Sequence, residues 1–143
     1  MSRLNNKGQS LVLFVVMVPV LIGIIALVYD LGNAFVKKSE IDSVIEDTLL
    51  YGIDTGSEFF EYDSKDYFNE EIVIWKDNLK ELLSYNLKGS SDISFEDKII
   101  IISASGYVDG IFSNILGIKG FKVESKYKGY LDEDGKEVIE KIK

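Results

Sequence analysis

The side chains that could do chemistry in this 143-residue chain are almost all carboxylates: there are 24 Asp and Glu, no cysteine and no histidine. Disulfides, thiol nucleophiles, Cys/His zinc sites and imidazole-dependent triads are therefore excluded. Paired carboxylates remain available for acid–base work, yet none stands in a recognisable constellation. Ser103-Ala104-Ser105-Gly106 lacks the G-x-S-x-G frame of a nucleophile elbow, and no glycine-rich phosphate loop follows a strand. Asp132-x-Asp134-Gly135 has half the pattern of a calcium loop but lacks its further ligands, so it reads as a solvated turn. The expectation is a non-enzymatic chain without cofactor or metal.

The elements that position these groups fall into two contrasting parts. Residues 11–29 carry no charge and, as a helix, span about 28 Å, close to the hydrocarbon thickness of a bilayer. A cleaved export signal has a shorter apolar core and a small-residue cleavage site beyond it, whereas this run exits into Tyr29-Asp30-Leu31-Gly32. Arg3 and Lys7 are the only charges before Asp30, so the positive-inside bias sets an N-in, single-span orientation. The other 14 of the 16 basic residues, against all 24 acidic ones, leave the part from Asp30 onward at −10. Such a surface repels phosphate backbones and points away from nucleic-acid partners. Pro19 lies inside the span, where a membrane helix tolerates it, and Gly23 offers a place for another helix to approach.

Beyond Asp30, the spacing of Phe35, Ile41, Val44, Ile45, Thr48 and Leu49 continues the helical period and nothing breaks it before Gly52, giving one long helix over residues 9–51. Residues 51–65 read as a loop, whose Phe59, Phe60 and Tyr62 either cap the adjacent core, the commoner outcome, or form a sticky surface. A second helix follows over 66–87, with Phe68, Ile72, Trp75, Leu79, Leu82 and Leu83 on one face, Asp66 as its cap and Gly89 after its end. Residues 93–95 and 98–108 are β-type, and Ile99 to Ile102 form a β-branched run suited to a central or doubly covered strand. Residues 111–117 form a short apolar helical turn ending at glycine, and residues 121–131 alternate as a strand. Residues 137–142 fit either an edge strand or a short terminal helix. The fold class is α+β: a long transmembrane and amphipathic helix, then a second helix packed on a small antiparallel sheet. This gives a leader-like cytoplasmic segment over 1–8, the long helix over 9–51 and an extracytoplasmic head over 52–143.

Gly8, a hydrophobic run containing Phe14 and Pro19, then Asp30-x-Gly32 and a later Asp47 resemble the N-terminal segment of the TadE/TadG-like proteins. Those are pseudopilin-like components of the Tad (Flp-type) pilus machinery. The stretch IIISASGYVDGIFSNILGIKGFKVESKYKGYL is similar to their C-terminal half, with Phe112 and Gly117 at the ends of an F-x-x-x-x-G motif. Leu13 stands where prepilin signals carry a glutamate, which leans the resemblance toward the TadG-like side. The metal motif of long TadG proteins has no match at Asp63-Ser64-Lys65-Asp66-Tyr67.

The resemblance implies a structural subunit held in the cytoplasmic membrane with its head outside. Its partners would be other pilin or pseudopilin subunits and the Tad-type assembly machinery. A prepilin peptidase would cut between Gly8 and Gln9. Phe14, Pro19 and Gly23 would serve helix packing, and Asp30 and Gly32 would mark the membrane exit or contribute to assembly. The alternative is a single-pass anchored protein whose head binds a partner or surface without entering a filament.

Overall fold

The computed structural model describes residues 6–56, 59–60, 70–115, 117 and 120–143. The fold is α+β. Helix α1 runs over Asn6–Thr55 and helix α2 over Glu70–Asn86. Strands β1 (Ser90–Glu96) and β2 (Ile99–Val108) precede the short helix α3 (Ile111–Ile115), and β3 (Phe121–Leu131) and β4 (Glu137–Lys141) follow it. The four strands form one antiparallel sheet in the order β1-β2-β3-β4. By packing, the chain divides into two units, Met1–Phe35 with Val108–Phe121, and Val36–Tyr107 with Lys122–Lys143.

In the second unit, the α1 residues Ile41, Ile45 and Leu49 are fully buried at successive four-residue steps, as the helical spacing requires. They belong to one core with Ile72, Leu79 and Leu83 of α2 and Ile93, Ile100, Ile102 and Tyr127 of the sheet. Thr48 sits among them without penalty because its hydroxyl donates to the Val44 carbonyl at 2.7 Å. Phe59 and Phe60 are buried, with Phe59 stacked on Trp75 at a centroid distance of 5.1 Å, so these aromatics do close the core. Tyr62, Asp66 and Phe68 lie outside the described residues. Phe35 departs from expectation: lying six residues before Ile41, it stands about 120° around the helix from that residue and is exposed.

The long helix extends past Leu50 and Tyr51 to Thr55, and Gly52 lies inside it. Gly52 is a close-packing residue there, not a stop. A Cβ at this position would stand 3.1 Å from both Ile100 Cδ1 and Leu79 Cδ1.

Strand β2 is an inner strand, matching its β-branched run. Ile100, Ile102 and Ala104 are buried, while Ile99 and Ile101 are half-buried. Strand β1 begins three residues earlier than its apolar pattern indicates, because Ser90, Ser91 and Asp92 pair with Ser105, Ala104 and Ser103. The β1–β2 hairpin turns on Asp97 and Lys98, at φ 41° and 65°. Two left-handed residues are what a tight hairpin with the sheet's twist demands, and a β-carbon is unfavourable there. Lys98→Gly is therefore expected to raise stability by about 0.5–1 kcal/mol, readable as a shifted urea midpoint at unchanged slope.

The tail is a strand. β4 pairs with β3 from Leu131↔Glu137 to Tyr127↔Lys141. Asp132 Oδ1 accepts from the N–H groups of Asp134 and Lys136 at 3.0 and 2.8 Å, closing the turn. The half-calcium pattern is thus spent on a backbone-capping aspartate.

Candidate functional site

In the first unit, the group with the most specific surroundings is Asp30. Its side chain is fully buried, and both carboxylate oxygens accept backbone hydrogen bonds. Oδ1 takes the N–H of Ile111 at 2.7 Å, and Oδ2 takes that of Phe112 at 2.8 Å. These are the first two amides of α3, which the helix itself cannot satisfy. Gly110 stands at the capping position and has no side-chain acceptor, so α1 supplies the cap from 81 residues away in sequence. A bidentate, charge-assisted arrangement of this kind fixes α3 against α1 in orientation as well as distance.

The second contact is apolar. Phe112 shares a cleft with Pro19, Val20, Gly23, Ile24 and Leu27. A Cβ on Gly23 would lie 3.7 Å from the Phe112 ring, so the glycine leaves room for it in ordinary van der Waals contact. The return path is equally constrained: Gly120 has φ 89°, and a Cβ there would collide with the Val108 carbonyl oxygen. Only glycine passes at that point.

Three of the sequence-derived residues therefore converge: Pro19 and Gly23 line the cleft, and Asp30 holds the helix whose Phe112 forms its other wall. Gly8, Gln9 and Phe14 are exposed on α1 away from this cluster. Gly32 is exposed, with no heavy atom within 4 Å of its would-be Cβ. Gly117 follows α3 at φ 73°, and its N–H bonds the Asn114 carbonyl at 3.1 Å, ending the turn as the F-x-x-x-x-G pattern implies. In the sequence, Asp30 and Phe112 belong to separate motifs. The usable signal is a short apolar helix whose own start lacks a capping side chain.

Around the α1 part of this unit, residues 11–28 present apolar side chains on every side. Leu13, Phe14, Val16, Leu21, Ile22, Ile25 and Val28 are all exposed. Among the described residues, α1 is the one helix long and apolar enough to cross a membrane, and 6% of its most apolar stretch is buried. Pro19 lies within the helix and cannot donate to the Val15 carbonyl.

The second unit holds a polar cluster with a different role. Asp42 accepts from Ser125 Oγ, and its Oδ2 is 2.6 Å from Lys141 Nζ. Lys38 Nζ donates to the Glu124 carbonyl at 2.7 Å. Burial pushes the Asp42 carboxyl up, but hydrogen bonds from Lys141 and Ser125 and the nearby lysine charges outweigh it and hold it below the ordinary value of 3.8. The hydrogen bond to Asp42 raises Lys141 above 10.5.

A lowered carboxylate stabilises above its unfolded pKa, and that contribution disappears as pH falls through the lower folded value. The raised lysine contributes below 10.5 and loses its share as pH rises through the folded value. Lys141 is 43% exposed, so screening limits the pair to about 0.5–1 kcal/mol. Asp42→Asn is expected to cost that much at neutral pH, a cost that fades as pH falls below 3.8 and through the lower folded value, measured as urea midpoints across the acid range.

These clusters brace α1 against other elements: one pins α3, the other pins β3 and β4. No family model, curated protein or solved structure matches the chain.

Proposed function

We propose that the chain is a membrane-anchored structural subunit of a bacterial pilus-type assembly, of the TadE/TadG-like kind. α1 crosses the cytoplasmic membrane once with its N-terminus inside, and the acidic head lies outside. Other pilin-like subunits pack on the apolar half of α1 during assembly, after cleavage between Gly8 and Gln9.

The observation that carries this reading is α1 itself. It is one uninterrupted 50-residue helix whose first half is apolar on every side, while its second half buries Ile41, Ile45 and Leu49 in the head's core. A helix apolar all round requires hydrocarbon or many helical neighbours. A filament supplies the second after a membrane has supplied the first.

The test is to shear cells expressing the protein and follow it by immunoblot. The chain is expected in the high-molecular-weight sheared fraction as well as in membranes. Complete retention in the membrane pellet would refute filament entry.

A second reading has its own observation. Phe112 lies against Gly23 and walls a cleft along the Pro19–Leu27 side of α1, a surface that helix-to-helix packing would otherwise use. That favours a permanent single-pass anchor whose head binds a partner outside the membrane. Membrane retention in the shearing experiment is its expected result.

A further inference from the structure

We infer that α3 is a second membrane contact, a short apolar foot seated in the outer leaflet beside the spanning helix. The inference rests on the reading that α1 spans the bilayer, and it adds an element that hydropathy does not identify. Residues 111–115 are too few to register as a membrane segment, and they begin 81 residues after Asp30.

Depth follows from the contacts. Asp30 grips the α3 amides, and the Phe112 ring reaches Gly23, seven residues back along α1, or about 10 Å toward the membrane interior. Hydrocarbon that surrounds Ile22, Ile25 and Val28 therefore also surrounds Phe112. Ile111 and Ile115, one turn apart on α3, are 55% and 74% exposed and continue the same apolar surface. Asp109 is exposed just before α3, where headgroups and water begin. The buried carboxylate of Asp30 has both oxygens occupied by N–H donors, which lets an acidic residue sit at this depth. Fluid lipid, not a second copy, is the occupant. The apolar exposure is continuous around α1 and over α3 in the unassembled chain, whereas a single second copy would cover only one bounded stripe of it.

The chain lacks cysteine, so single-cysteine variants can be spin-labelled without background. The full-length protein would be placed in vesicles of phosphatidylethanolamine and phosphatidylglycerol. Nitroxides at Ile22→Cys, Ile111→Cys, Ile115→Cys and Asp134→Cys would be probed by collision with oxygen, which enriches in lipid, and with a water-soluble nickel chelate. The oxygen-to-nickel ratio at 111 and 115 is expected to exceed that at 134 by about tenfold and to approach that at 22. A lipid-like ratio at 22 with a water-like ratio at 111 and 115 overturns the foot while leaving the span intact. A water-like ratio at 22 overturns the span and the foot with it. Shielding of 111 and 115 from both reagents means that protein covers them and rejects lipid as the occupant.

Discussion

Asp30→Ala is expected to release the Val108–Phe121 segment from α1 while leaving the head folded. The substitution removes both acceptors from the Ile111 and Phe112 amides, and the local cap position is Gly110, which has no side chain to replace them. Hydrogen bonds to a charged group contribute about 1.5–3 kcal/mol each, and a buried donor left unsatisfied loses its desolvation cost in full. A local loss of about 3 kcal/mol corresponds to roughly hundredfold faster exchange of those two amides.

Hydrogen exchange on the full chain in detergent or lipid reads this directly. Amides of Ile45, Leu49 and Ile100, in the other unit, should keep their protection. Asp30→Asn should fall between the two, since an amide side chain offers one acceptor oxygen where the carboxylate offers two. Unchanged exchange at 111 and 112 in the alanine variant would remove Asp30 from the role of clamp.

The second large effect lies in the head, where Gly52 and Leu79 compete for one volume. Leu79 is fully buried, and its truncation to alanine is expected to cost about 2–5 kcal/mol, the removed methyl groups plus the cavity left behind. Gly52→Ala has two opposed terms. Alanine in a helix interior is favoured over glycine by about 1 kcal/mol. Against that, the new methyl would stand 3.1 Å from Leu79 Cδ1 and Ile100 Cδ1, and 3.3 Å from Leu79 Cδ2. Ile100 and Leu79 are both wholly buried, so neither can swing away, and overpacking at about 1–3 kcal/mol outweighs propensity.

The combination decides the mechanism. With Leu79 shortened, the methyl introduced by Gly52→Ala relieves part of the cavity and meets one obstacle instead of two. The double variant is therefore expected to be more stable than the sum of the single losses by about 1 kcal/mol or more. Urea unfolding of the four proteins measures this. Strict additivity would contradict direct packing of Gly52 on Leu79.

Much of the architecture was legible because it is local. The three- and four-residue steps through Ile41, Ile45 and Leu49, and again through Ile72, Leu79 and Leu83, specify helices and their buried faces without outside information. The β-branched run at 99–102 likewise announces an inner strand. What escaped depends on partners distant in sequence. Gly52 looks like a helix terminator until the side chains of Leu79 and Ile100 are seen against it. Ser90, Ser91 and Asp92 have little strand character, and pairing with β2 makes them a strand. The tail fits helix or strand by pattern, and β3 decides it by offering an edge. At the candidate site, Pro19, Gly23 and Asp30 are each visible as unusual residues in or beside an apolar run. Their common partner, Phe112 and the amides at the start of α3, lies across most of the head in sequence, so local pattern could not join them.

The proposed function requires α1 from Gln9 onward to remain in the mature protein, because the same helix carries the span, the clamp and the core of the head. Intact mass spectrometry of the protein recovered from membranes and from sheared material measures this without labels or variants. The expected species begins at Gln9, with the helix retained. An intact Met1 would leave the anchor and remove the processing step. A chain beginning near residue 30 would mean that the apolar half is discarded on export, and would contradict the proposal.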